Sequence, residues 1–180
     1  MNFYEYYYEN IVKYDLLNKF QYRTVNQIPK FDKITLNFGC KKSELRFLGP
    51  TLIALELITS QKSILTRSNV SNISLKIKKG NPVGCKVTIR KTLMYTFLVK
   101  LINEIFPKLK QFDGFNRSNI QSSVKTISFK LKNSLIFSEL ENHYQYFNKL
   151  PYLNITIITN TSSFKELLFL LKSLKFPIQK

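Results

Sequence analysis

The chain has 180 residues, 44% of them hydrophobic, and its 28 Lys and Arg against 11 Asp and Glu give a formal net charge of +17. That length and apolar content suit one compact domain, residues 1–180, with a real core, and they exclude a disordered basic tail. A single histidine, with no paired carboxylates, nucleophile elbow or phosphate-cradling glycine loop, leaves enzymatic function almost without support.

Residues 3–19 read as a Tyr-rich helix with Ile11, Val12, Tyr14, Leu16 and Leu17 available for packing. After Pro29, the run KITLNFG (33–39) alternates strictly, with Ile34, Leu36 and Phe38 on one side and Lys33, Thr35 and Asn37 on the other. A second helix is expected over about 44–59, where Gly49-Pro50 blurs the start and Leu52, Ile53, Leu55 and Ile58 are apolar.

Two strands around a tight loop follow. In ISLKIKK, Ile73, Leu75 and Ile77 alternate with Ser74, Lys76 and Lys78; in CKVTIR, Cys85, Val87 and Ile89 alternate with Lys86, Thr88 and Arg90. Between them KGNPVG (79–84) has turn chemistry, so the segment predicts a β-hairpin with a protruding loop. Residues 92–105 carry the strongest helical pattern, with Leu93, Met94, Phe97, Leu98, Leu101, Ile102 and Ile105, and Pro107 closes the run. A polar loop around KQFDGFNRSN leads to TISFKLK (126–132), with Ile127, Phe129 and Leu131 inward. LNITIIT (153–159) sets Asn154 and Thr156 opposite Leu153, Ile155 and Ile157. A final amphipathic helix covers about 162–175.

The order predicts an α+β fold: an antiparallel β-sheet with helices packed on one face. Its other face then presents Lys33, Thr35, Asn37, Lys86, Thr88, Arg90, Asn154 and Thr156. Cations, amides and hydroxyls on a rigid face suit phosphate, 2′-hydroxyl and base-edge contacts, although antiparallel sheets commonly have a plain solvated face. Charge tips the balance. Confining a charge of +17 is self-repulsive, and a polyanion relieves it by releasing counterions, which makes RNA the natural partner.

Composition carries a second message. Ile, Asn, Lys, Phe and Tyr supply 82 residues, while Ala, Gly, Pro and Arg supply 17. The favoured residues have AT-rich codons, so part of the Lys excess is genome bias. The N-terminus MNFYEYYYEN has two acids before its first cation, unlike a transit or secretory signal, and no apolar run reaches membrane-span length. No membrane association and no cofactor are expected. Five N-x-S/T sequons, at Asn69, Asn72, Asn116, Asn154 and Asn160, are expected by chance in so Asn-rich a chain. Cys40 and Cys85 lack metal-site spacing and read as small core residues, so no metal is expected.

At KITLNFG, followed by GNPVGCKVTIR, the sequence resembles the large-ribosomal-subunit protein five family, the 5S-rRNA-binding protein of the central protuberance. YYENIVKYDLLNKFQYRTVNQIPKFDKITLNFG, SQKSILTRSN, SLKIKKGNPVGCKVTIR, FPKLKQFDGF, LKNSLIFSEL, LNITIIT and LKFPI follow in family order and spacing. The resemblance implies a structural ribosomal role with 5S rRNA, large-subunit rRNA, neighbouring ribosomal proteins and a small-subunit head protein across an intersubunit bridge as partners. No homo-oligomer is expected.

The resemblance also implies that Lys78, Lys79, Gly80, Asn81, Pro82 and Val83 form the loop facing the elbow of the P-site tRNA. RNA-facing strand positions correspond to Asn37, Gln61, Thr88 and Arg90, with Asn154 at a site usually acidic. Lys33, Lys62 and Lys86 read as phosphate anchors, and Gly80 and Gly84 as sources of turn freedom. The sequence departs from the family in FGCKKSE, where lysines replace small residues, and in the loop before TISFKLK, which lacks the family's glycine-rich, aromatic form. An AT-rich code and a family-length chain point to a mitochondrial, organelle-encoded ribosomal protein, with a plastid or bacterial cytoplasm as alternatives. A free RNA-binding regulatory protein on the same fold is the competing function.

Overall fold

The computed structural model describes residues 3–40, 45–109, 114–115 and 125–178. The polar loop expected around 110–119 lies almost wholly outside them, as do both lysines of FGCKKSE. Five strands form one antiparallel sheet: β1 (Phe31–Gly39), β2 (Ile64–Arg67), β3 (Pro82–Ile89), β4 (Thr126–Leu131) and β5 (Leu153–Thr159), in the spatial order β2-β3-β1-β5-β4. With its helices this is the α+β class expected from the alternating runs.

The chain divides into two compact units, one of residues 1–34, 90–127 and 157–180, the other of 35–89 and 128–156. The first begins with α1, residues 3–19, in which a π-helical stretch Tyr8–Val12 separates two α-helical pieces, Phe3–Tyr7 and Lys13–Lys19. Tyr4, Tyr8, Val12 and Leu16 are buried, four residues apart on one face. Ile11, Tyr14 and Leu17, expected to pack, are exposed, because the tyrosines rather than those aliphatics hold the inward stripe. Tyr8 fixes the segment that follows by donating its hydroxyl to the Pro29 carbonyl at 2.7 Å.

Two further long helices follow in chain order, α2 (Leu45–Thr59) in the second unit and α3 (residues 91–108) in the first. α3 is α-helical over Lys91–Lys100, π-helical over Leu101–Ile105 and α-helical again over Phe106–Lys108, so Pro107 sits in its last turn instead of ending it before. Met94, Phe97, Leu98, Leu101 and Ile105 are buried as the pattern predicts, while Leu93 is exposed. The tilted Tyr8 and Tyr95 rings, 6.4 Å apart, join α1 to α3.

In the second unit α2 lies against β3. It buries Leu48, Ala54, Leu55 and Ile58 and leaves Ile53 and Leu57 outside. Pro50 is accommodated inside the helix, where it lacks an N–H to donate. Two short helices, α4 (Ser138–Glu141) and α5 (Tyr144–Phe147), pack on α2. The closing helix, α6 (Phe164–Ser173), belongs to the first unit and starts at a capping box. Ser163 Oγ accepts from the Glu166 N–H at 3.3 Å, and Glu166 Oε2 accepts from the Ser163 N–H at 3.1 Å.

The predicted hairpin needs correcting. Residues 73–76 form a turn, and Ile73 is 93% exposed. The partner of β3 is β2, paired antiparallel with Ile64 opposite Lys86, Leu65 opposite Cys85 and Thr66 opposite Gly84. The alternation in ISLKIKK has no strand beside it to complete a ladder, and Lys76 sits at a φ of +53°, outside the extended region. The hairpin therefore exists with a longer connection, residues 68–81, than the six-residue loop expected.

Candidate nucleic-acid interface

In the second unit the three adjacent strands β3, β1 and β5 alternate between buried and open positions. Cys85, Val87, Leu36, Phe38, Leu153 and Ile155 are buried, and Lys86, Thr88, Thr35, Asn37, Asn154 and Thr156 take the intervening positions. Lys86 is exposed, and the other five are half-buried. β4 extends this set with exposed Ser128 and Lys130, and Ser128 donates to Thr156 Oγ1 at 3.1 Å across the β5–β4 pair. Ser128 and Lys130 were not among the residues expected in the site; the alternation in TISFKLK was the available signal.

Lys33 and Arg90 belong to the first unit. Lys33 is half-buried on β1, and exposed Arg90 follows the last residue of β3 in extended backbone, directly before α3. Gln61 and Lys62 are not strand residues. Both are exposed in the connection from α2 to β2, which Glu56 pins by accepting from the Ser63 N–H at 3.0 Å.

The hairpin connection is built in two steps. At its base Ser68 N–H donates to the Asn81 carbonyl and Gly80 N–H to the Ser68 carbonyl, each at 2.9 Å. Above it, Asn72 and Ile77 exchange backbone bonds of 2.8 and 3.0 Å, and Asn72 Oδ1 accepts from the Leu75 N–H and the Ser74 hydroxyl. Of the residues expected in the loop, Lys78, Lys79 and Gly80 are exposed near this base, and Asn81 is half-buried beside β3. Pro82 and Val83 are already strand. The tip is instead 71–76.

The two glycines of the motif differ in role. Gly80 has a φ of +89°, a conformation that only glycine adopts without strain. Gly84 has no such φ; a Cβ there would run into the Phe38 carbonyl oxygen and meet Thr66 Oγ1 at 3.0 Å. Close approach of β1 and β2 on either side of β3, not turn freedom, explains Gly84.

Charge is concentrated here. Between Glu56 and Glu104 the chain has nine Lys and Arg and no Asp or Glu, and this stretch includes both hairpin strands. Among the described residues no group of three or more His, Cys, Asp or Glu could hold a metal ion, and no helix is long and apolar enough to cross a membrane. The two cysteines meet at one hydroxyl: Thr51 Oγ1 lies 3.3 Å from Cys85 Sγ and 3.9 Å from Cys40 Sγ, and donates to the Leu48 carbonyl at 2.8 Å. Burial raises both thiols above their usual range, against the opposing effect of Thr51, which keeps them neutral. Cys85 is core as expected; Cys40 is only half-buried.

Comparison with known proteins agrees with this architecture. Residues 82–178 match the family model for the C-terminus of the ribosomal protein uL5 family, which sets the chain among ribosomal proteins of a structural, non-enzymatic kind. The chain is 38% identical to large ribosomal subunit protein uL5m of Reclinomonas americana over 183 positions, covering 100% of both. It is 35% identical to uL5 of Blochmanniella floridana, covering 96% of the chain and 90% of that protein. It is 37% identical to uL5c of Chara vulgaris over 96% of the chain and 90% of the relative. The chain belongs to the ribosomal protein uL5 family.

Proposed function

We propose that the chain is a structural constituent of the large subunit of a mitochondrial ribosome and binds 5S rRNA and adjacent large-subunit rRNA in the central protuberance. The observation that carries this reading is the open face of β3, β1 and β5, whose polar side chains stand beside the acid-free stretch from 57 to 103. Asn37, Thr35, Thr88 and Asn154 supply short hydrogen-bonding groups on rigid strands, and Lys86 supplies a phosphate contact. Arg90 offers a planar fork for a phosphate or a guanine edge, with Lys33, Lys62 and Gln61 as flanking contacts.

The hairpin connection is the part presented to the elbow of the P-site tRNA and to the small-subunit head. Its cations Lys76, Lys78 and Lys79 are exposed around the tip at 71–76. The mitochondrial compartment is supported by full-length similarity to uL5m and by the AT-rich amino-acid usage. Crosslinking RNA to the protein in cells and sequencing it tests the whole reading. Recovery of 5S rRNA with one patch of large-subunit rRNA is expected, and the transcript identifies the compartment. Diffuse mRNA without rRNA enrichment overturns it.

A further inference from the structure

A concavity of about 540 Å³ opens in the second unit where β4 and β5 meet the segment before β5. Its walls include Phe47, Lys130, Lys149, Pro151, Tyr152 and Asn154. Most of the lining is apolar carbon, yet two exposed lysines stand on it and the Tyr152 ring is 61% exposed. Asn154 Oδ1 is buried there without a hydrogen-bond partner. An unmet acceptor in a buried position is unfavourable, so such an atom calls for a donor.

These features are chemically specific when taken together. A flat aromatic surface with a cation beside it stacks a nucleobase, whichever base it is. A carboxamide at the back of the site suits a base edge, and lysines at the mouth suit the phosphates on either side of an extruded nucleotide. An apolar protein side chain would fill the same space but would leave both lysines and the amide acceptor unanswered.

We infer that this concavity takes one unstacked base of the bound RNA, stacked on Tyr152, with its exocyclic amine directed to the Asn154 amide and its phosphates held by Lys130 and Lys149. The inference rests on the rRNA-binding reading and deepens it, adding Lys130, Lys149 and Tyr152 to the interface. The base is that of a polynucleotide and not of a free nucleotide, because the lysines lie at the mouth, where a continuing backbone passes.

The test measures filter binding of the full chain to an in vitro transcript of a bacterial 5S rRNA across a series of salt concentrations. Tyr152→Ala is expected to weaken binding about five- to a hundred-fold with an unchanged salt slope, the range for losing one stacked base. Tyr152→Phe is expected to retain wild-type affinity, and Lys149→Gln to lower the slope by about one ion. The Tyr152 ring is largely exposed, so its removal leaves the core intact. Wild-type binding with an unaltered Tyr152→Ala variant overturns the base pocket and spares the RNA reading. Failure of the wild-type chain to bind both this transcript and a large-subunit rRNA transcript overturns the two together. Saturation of the site by adenosine monophosphate as tightly as by the transcript would mean a free-nucleotide pocket and overturns the polynucleotide assignment.

Discussion

Gly84 and Phe38 are in such close contact that the carbonyl oxygen of Phe38 occupies the place a side chain at 84 would need. The opposing atom belongs to backbone in β1, which cannot swing aside as a side chain would. Gly84→Ala is therefore expected to destabilise the fold by about 1–3 kcal/mol, the usual penalty for overpacking. Urea denaturation followed by circular dichroism reads this directly. A midpoint equal to that of the parent would show that β1 and β3 are not held at this spacing.

Tyr8 makes the second expectation. Its hydroxyl reaches the buried Pro29 carbonyl, so Tyr8→Phe removes a donor and leaves that acceptor unpaired. A loss of about 1–3 kcal/mol is expected in the same measurement. Tyr14→Phe, at an exposed position on the same helix, serves as the comparison and is expected to be within about 0.5 kcal/mol of the parent.

Alkaline pH should weaken the first unit. Burial, with smaller contributions from Glu5 and Glu9, pushes the Tyr95 phenol up to about 12, and burial raises Tyr8 further. The folded state thus holds these protons more tightly than the unfolded chain, whose phenols titrate near 10.0. Their contribution is fully present below about pH 10 and is lost as pH rises from there through about 12. Thermal melts in that window should fall steeply, and Tyr95→Phe should flatten the fall. A pH-independent melting temperature there would contradict the burial of these rings.

The start of α6 provides a compact test of local structure. Ser163→Ala removes one half of the capping box and is expected to lose about 0.5–2 kcal/mol. Glu166→Ala should lose more, because that carboxylate also accepts from the Ser162 N–H and hydroxyl at 3.0 and 2.9 Å. Stability measured by urea titration should rank the two variants in that order.

For the interface, Arg90→Ala is expected to weaken rRNA binding by about 1–3 kcal/mol, while Lys86→Ala lowers the salt slope by about one ion with little effect on sequence preference. Filter binding with a 5S rRNA transcript distinguishes these effects. Unchanged affinity and slope in both variants would remove β3 from the interface.

The sequence was most informative where one side of an element faces the core. β1, β3, β4 and β5 were each visible as alternating runs because their apolar residues share one covered face. β2 was missed for the same physical reason: Ile64, Leu65 and Arg67 are exposed and only Thr66 is half-buried, so no alternation records it. ISLKIKK shows the converse, since alternation without a neighbouring strand describes a turn here. Gln61 and Lys62 were reached through family resemblance alone, and their place in a connection explains why periodicity did not mark them. Lys149 and Tyr152 lie in a segment whose spacing carries no signal, and only the folded chain brings them beside Asn154.

The two borders of the sheet have a bearing on the time before any RNA is bound. β2 contributes only four residues and breaks its register between Thr66 and Arg67, while β4 carries exposed Lys130 near its end. Short, irregular or lysine-bearing borders are poor templates for another chain's backbone. A newly made copy is thus protected from sticking to its siblings by geometry at one border and charge at the other, and it can wait for its place in an assembly without a partner to shield it.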